Sequence, residues 1–238
     1  MRSVIGVDGC KKGWCAVIKD LDSGCKFQLF KSISDIYNLA PSPLVITLDM
    51  PIGLLDSAVK GGRSCEQTAR DLLGSPRKNS VFSSPVRGAI EKASSYSDAC
   101  SINRESSPDN IGISQQAYGI FPKLREVDLF ITPEKQSIIK EIHPELCFYE
   151  LNERVAMKYS KSTYEGVSAR KKLLETVGFG PLINEYIERG ATSSFKMDDL
   201  LDACVACWTA ERIYGGKAIA SPEQSILDSK GLTMEIWR

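Results

Sequence analysis

The chain has 238 residues, 42% apolar and 25% charged, and its 30 basic residues balance 30 acidic ones. A chain of this size and composition reads as globular, with a core that needs no staples. Zero net charge excludes attachment to nucleic acid by bulk charge, but not a local basic groove. No run approaches about 18 apolar residues, so no transmembrane helix is expected. The N-terminus lacks the apolar core and cleavage site of a secretion signal, which points to a cytoplasmic protein.

Residues 3–8 read as a strand, and a Gly-bounded turn leads to a second strand over 14–18. A short link gives a third over 26–30. Short connections between β-rich runs predict an antiparallel meander. Ser34 or Asp35 caps a short helix that Pro41 and Pro43 close. Residues 44–48 are almost wholly apolar, as suits a strand buried on both faces, and they end at Asp49. Ser64-Cys65-Glu66-Gln67 has the form of a capping box, with Gly74 as its C-terminal stop. A Ser/Pro/Arg-rich stretch over 75–87 and helical pieces near 88–105 and 114–129 follow. We read 55–135 as a helical insertion. Residues 138–142 make a fifth strand ending in His143-Pro144-Glu145. Helices are expected near 145–156, 166–177, 181–189 and 198–214, then a small hairpin over 226–233. Strands that later alternate with helices predict an α/β fold with a mixed sheet.

Eight cysteines are too sparse for a disulfide scaffold in a chain this long. Cys204 and Cys207 lie in an apolar helical stretch and read as buried thiols.

Asp8 stands at the end of the first strand and Asp49 at the end of the fourth, while Asp198, Asp199 and Asp202 open the last helix. At 100° per residue the three helical acids share one arc, above Val205, Ala206, Thr209 and Ile213. No Lys or Arg stands four residues from any of them. Acids gathered without counter-charges are what oxygen-ligated divalent cations need. The competing reading is local: Asp198 as N-cap, Asp199 facing the helix dipole, and Asp8 and Asp49 as turn formers. Asp202 lies too deep for a cap.

This pattern resembles the RNase H-like nuclease superfamily, and Asp199-Leu200-Leu201-Asp202-Ala203 is similar to the D-x-x-D-A helix of its Holliday-junction resolvase branch. More closely, the chain resembles the family of domains of unknown function numbered 429, described as predicted nucleases of RNase H fold. The carriers are residues 7–14, 49–54, 77–82, 141–145 and 198–203. The resemblance implies one RNase H-like domain over 1–238, with three antiparallel strands, then parallel strands, flanking helices and the insertion at 55–135. It implies two-metal hydrolysis of phosphodiesters with Mg²⁺ or Mn²⁺. Asp8 would bridge the metals, with Asp49 or Glu145 on one and Asp199 or Asp202 on the other. In the superfamily the second acid is often Glu; here the fourth strand offers Asp49, and Glu145 follows the fifth. His143, the only histidine, would orient water or protonate the leaving group; its competing role is structural, at a strand end.

Residues 57–104 carry an excess of Lys and Arg. Arg77-Lys78-Asn79-Ser80 is the best phosphate candidate, with Lys12, Arg63 and Arg70 beside it, and Lys161 and Arg170 as weaker ones. A solvated insertion face is the plain alternative. The expected partner is nucleic acid, with no membrane. Two rival functions remain: a phosphotransferase of the actin-like superfold, and a non-catalytic nucleic-acid-binding module that keeps the fold.

Overall fold

The computed structural model describes residues 2–190 and 195–238. In chain order its elements are β1 (Ser3–Cys10), β2 (Gly13–Asp20), β3 (Gly24–Phe30), α1 (Ile33–Tyr37), β4 (Val45–Leu48), α2 (Ser64–Leu73), a 3-10 turn (Arg77–Ser80), α3 (Arg87–Lys92), α4 (Tyr96–Glu105), α5 (Gln115–Gly119) and α6 (Phe121–Phe130). Then come α7 (Pro133–Gln136), β5 (Ile139–Glu141), α8 (Pro144–Leu151), α9 (Tyr164–Thr176), α10 (Gly180–Glu188), α11 (Met197–Tyr214), β6 (Ala220–Leu227) and β7 (Thr233–Trp237). None of the described helices is long and apolar enough to cross a membrane.

The chain forms two compact units. The first takes the chain up to Asp49, Ile138–Ile219 and Trp237–Arg238. Its five-stranded sheet has the order β3-β2-β1-β4-β5. β1, β2 and β3 form the antiparallel meander, while β4 and β5 run parallel to β1. The fold is therefore mixed α/β, with a mixed sheet flanked by helices. The apolar run of β4 is buried at every position, as a strand between two neighbours requires.

α11 lies across β1, β2 and β4 and is itself flanked by α8 and α9. That explains why its Leu200, Leu201, Ala203, Cys204, Val205, Ala206 and Cys207 are all buried, with no polar face in its middle. Gly6 of β1 is the contact point: a Cβ there would overlap the helix backbone at Ala203, Ala206 and Cys207. Thr47 of β4 seals the same crossing, its Oγ1 donating to the Ala206 carbonyl at 2.7 Å.

The second unit spans Met50–Ser137 and Ala220–Ile236. It includes the expected insertion together with the C-terminal ribbon β6–β7. A two-stranded ribbon is marginal alone, and here α2 packs against β6. Its central tie is Arg87, 4% exposed, which bonds Asp228, Asp128 and Ser229. Asp228 in turn accepts from the backbone N–H groups of Leu54 and Leu232 at 3.0 and 2.8 Å.

Three helix starts differ from the sequence reading, each because a different backbone N–H found its acceptor. Ser32, not Ser34 or Asp35, caps α1, with Asp35 accepting back from the Ser32 N–H. Glu66 accepts from the N–H of Arg63 at 3.0 Å, so α2 is capped one residue earlier than a Ser64 box. Lys196 precedes α11, and Asp199 rather than Asp198 takes the exposed N–H, from Lys196 at 2.7 Å.

Candidate active site

Asp8 and Asp49 are neighbours by register. β1 and β4 pair in parallel up to Val7 and Leu48, and the Asp49 N–H donates to the Val7 carbonyl at 3.0 Å. The next residue on each strand is an aspartate, and the two carboxyl groups lie close enough for the charge of Asp49 to act on Asp8. Asp202 arrives from above: it precedes Ala203, where α11 crosses Gly6 of the same strand. Three segments far apart in sequence thus bring three carboxyl groups together at the carboxyl ends of parallel strands, the place where open α/β sheets bind ligands.

Asp8 is 7% exposed and Asp202 1%; Asp49 is partly exposed. Burial pushes the Asp8 carboxyl well above the ordinary carboxylate range, and the negative charges of Asp202 and Asp49 push it further. Asp49 is raised by burial too, with His143 and Lys161 pulling the other way. Asp202 is pushed up to about 7, chiefly by burial, with Lys161 opposing and Asp49 and Glu145 adding. The site holds more negative charge than it can keep ionised by itself.

The expectation of acids without a counter-charge is corrected. Lys161 places Nζ 2.5 Å from Asp202 Oδ2. Partial burial works against its charge, yet Asp202, Asp8 and Asp49 outweigh that and hold the ammonium well above its usual range. Its side chain stays 46% exposed, so the ammonium lies at the mouth of the acidic centre. Helical spacing misses this partner because it sits 41 residues away, in the polar segment before α9. The one sequence signal was its place among the weaker phosphate candidates.

Arg170 fixes that segment. Its Nη1 donates to the carbonyls of Tyr159 and Gly166, both at 3.1 Å, and its Nη2 to Glu145 Oε1 at 2.5 Å. A Cβ on Gly166 would overlap the Ser160 carbonyl, so the chain on either side of Lys161 is pinned close. Arg170 is 1% exposed and also lies over the Phe148 ring at 5.3 Å. It is an internal brace, and its reading as a phosphate contact gives way. Glu145 is 6% exposed and is neutralised by Arg170, while its Oε2 has no hydrogen-bond partner. Asp199, raised by burial and lowered by the Lys196 N–H, is committed to its cap. His143 precedes α8 and lies near enough to Asp49 to act on its carboxyl group.

The remaining candidates lie elsewhere. Lys12 is exposed on the β1–β2 turn. Arg63, in the second unit, is 1% exposed and bonds Glu66 Oε1 at 2.7 Å and the carbonyls of Ile52 and Gly53, so it too serves the interior and not a phosphate. Arg70 donates to the carbonyls of Val81 and Gly61. Arg77 is half-buried, Lys78 and Ser80 are exposed, and Ser80 Oγ donates to the Arg77 carbonyl at 2.7 Å.

Among the described residues, no three His, Cys, Asp or Glu side chains are disposed around one point so as to grip a metal ion as they stand. The donor chemistry nevertheless suits a hard divalent cation: Asp8, Asp49 and Asp202 offer only oxygen, and their crowding leaves an excess of negative charge. The eight cysteines are free thiols. Burial raises Cys204 and Cys207, and carries Cys147 up to about 12, so none of these three offers a thiolate ligand at neutral pH.

A family model described as a protein of unknown function, DUF429, matches residues 6–225. No curated protein and no solved structure matches the chain.

Proposed function

The chain belongs to the DUF429 family, and from that starting point and the acidic centre we propose that it is a metal-dependent nuclease of RNase H-like fold that hydrolyses phosphodiester bonds. The observation that carries this reading is the meeting of Asp8, Asp49 and Asp202 with the Lys161 ammonium. A sheet of order β3-β2-β1-β4-β5 crossed by the last long helix supports the fold assignment.

Asp8, Asp49 and Asp202 would hold Mg²⁺ or Mn²⁺. When bound, such an ion supplies positive charge at the scissile phosphate and acidifies an attacking water. Lys161, half exposed beside Asp202, donates to a non-bridging phosphate oxygen. His143, beside Asp49, would hand a proton to the leaving oxygen. Arg170 and Glu145 keep the Lys161 segment in position without touching substrate. Nucleic acid is the substrate class and the cytoplasm its place of action. The exposed Lys12, Lys78 and Ser80, with Arg77, are the remaining candidates for phosphate contact.

The test is a cleavage assay with Mn²⁺ on single-stranded, duplex, hybrid and branched substrates. Wild type should cut at least one, and Asp8→Asn should lose about a hundredfold or more of that rate. No cleavage of any substrate, with thermal stabilisation by ATP instead, would move the assignment to a phosphotransferase.

A further inference from the structure

A centre built from Asp8, Asp49 and Asp202 carries three negative charges when fully ionised. Nearby acids do not add to that sum. Glu145 is matched by Arg170 at 2.5 Å, and Asp199 is partly exposed and spent on the Lys196 N–H. Lys161 returns one positive charge, in contact with Asp202 and acting on Asp8 and Asp49 as well. With His143 counted as neutral, the remainder is two negative charges, which one divalent cation cancels. Two divalent cations would leave the centre with two positive charges before substrate arrives.

The ammonium is not a passing neighbour. It sits on a segment braced on both sides by Arg170, through the carbonyls of Tyr159 and Gly166, and the brace is itself buried. A built element therefore delivers a fixed monovalent cation to a carboxylate at the mouth of the site.

We propose that Lys161 takes the place of a second metal, so that the centre binds one divalent cation per chain, with the ammonium as the other positive charge facing the phosphate. This rests on the nuclease reading and departs from two-metal hydrolysis. It makes Lys161 a positioning residue for the substrate phosphate, and it removes any need for Glu145 or Asp199 as ligands.

The experiment is calorimetric titration of the full chain with MnCl₂, with the bound ions counted independently by electron paramagnetic resonance. Wild type should bind one Mn²⁺ per chain, Lys161→Arg one, and Lys161→Met two. Asp8→Asn should lose at least tenfold in affinity for the ion. Two Mn²⁺ in wild type would overturn the role of Lys161 while leaving the metal-dependent reading standing. One Mn²⁺ of unchanged affinity in Lys161→Met would do the same. No Mn²⁺ in either protein would overturn both. The wild-type count needs no variant to fold, and melting curves of the variants report their integrity.

Discussion

Gly6 and Cys207 stand so close that a methyl group on Gly6 would overlap the Cys207 backbone nitrogen. This single approach sets how far α11 lies from β1, and therefore how far Asp202 lies from Asp8. Gly6→Ala should cost about 1–3 kcal/mol or more, because the obstacle is backbone and cannot rotate away. Urea denaturation measures that. The same variant should weaken Mn²⁺ stabilisation, since separating the helix from the strand separates the two proposed ligands.

The buried pair of Arg170 and Glu145 yields a second expectation. Arg170→Met leaves the Glu145 carboxylate buried and alone, a loss of about 3–5 kcal/mol. It also frees the Tyr159 and Gly166 carbonyls. The double variant Arg170→Met/Glu145→Gln removes the charge and should recover part of the stability, but not the position of Lys161. Comparing unfolding free energies of the single and double variants separates the two effects; equal losses in both would show that the ion pair is not what Arg170 contributes.

Asp202 sets a pH dependence in metal-free buffer. Burial holds its carboxyl up to about 7 in the fold, whereas in an unfolded chain it titrates near about 4. Between those values the folded state keeps a proton that the unfolded state has released, so stability falls as pH rises through that window. Asp202→Asn should flatten the slope of melting temperature against pH between about 4 and 7. A wild-type protein that gains stability over the same range would contradict this.

The thiols offer a simpler check. All eight should react in denaturant without reductant. In the native protein Cys25, the one cysteine that is not fully buried, should react first, slowed because burial raises its thiol. Rapid native modification of Cys204 or Cys207 would mean that α11 opens far more readily than its packing implies.

Much of the first unit was legible from sequence. β-rich runs with short links can hardly avoid pairing as a meander, and the apolar run of β4 has no solvent face to offer. Asp8, Asp49 and Asp202 could be singled out because each ends or enters an element where a buried acid has no routine purpose. What escaped notice were the partners of charge. Lys161 meets Asp202 across 41 residues, and no helical period links them. Arg63 and Arg170 look like surface cations in composition, yet both are interior braces for carbonyls, a role decided by tertiary packing. The starts of α2 and α11 moved because Glu66 accepts from Arg63, one residue before the expected box, and Asp199 rather than Asp198 accepts at the start of α11.

The most direct measurement of the central claim is a crystal soaked in MnCl₂ and examined by anomalous diffraction at the manganese edge. One peak per chain is expected, bounded by carboxylate oxygens of Asp8, Asp49 and Asp202 at about 2.0–2.6 Å, with the Lys161 ammonium still beside Asp202. A peak held by other residues, or none at saturating Mn²⁺, would contradict it.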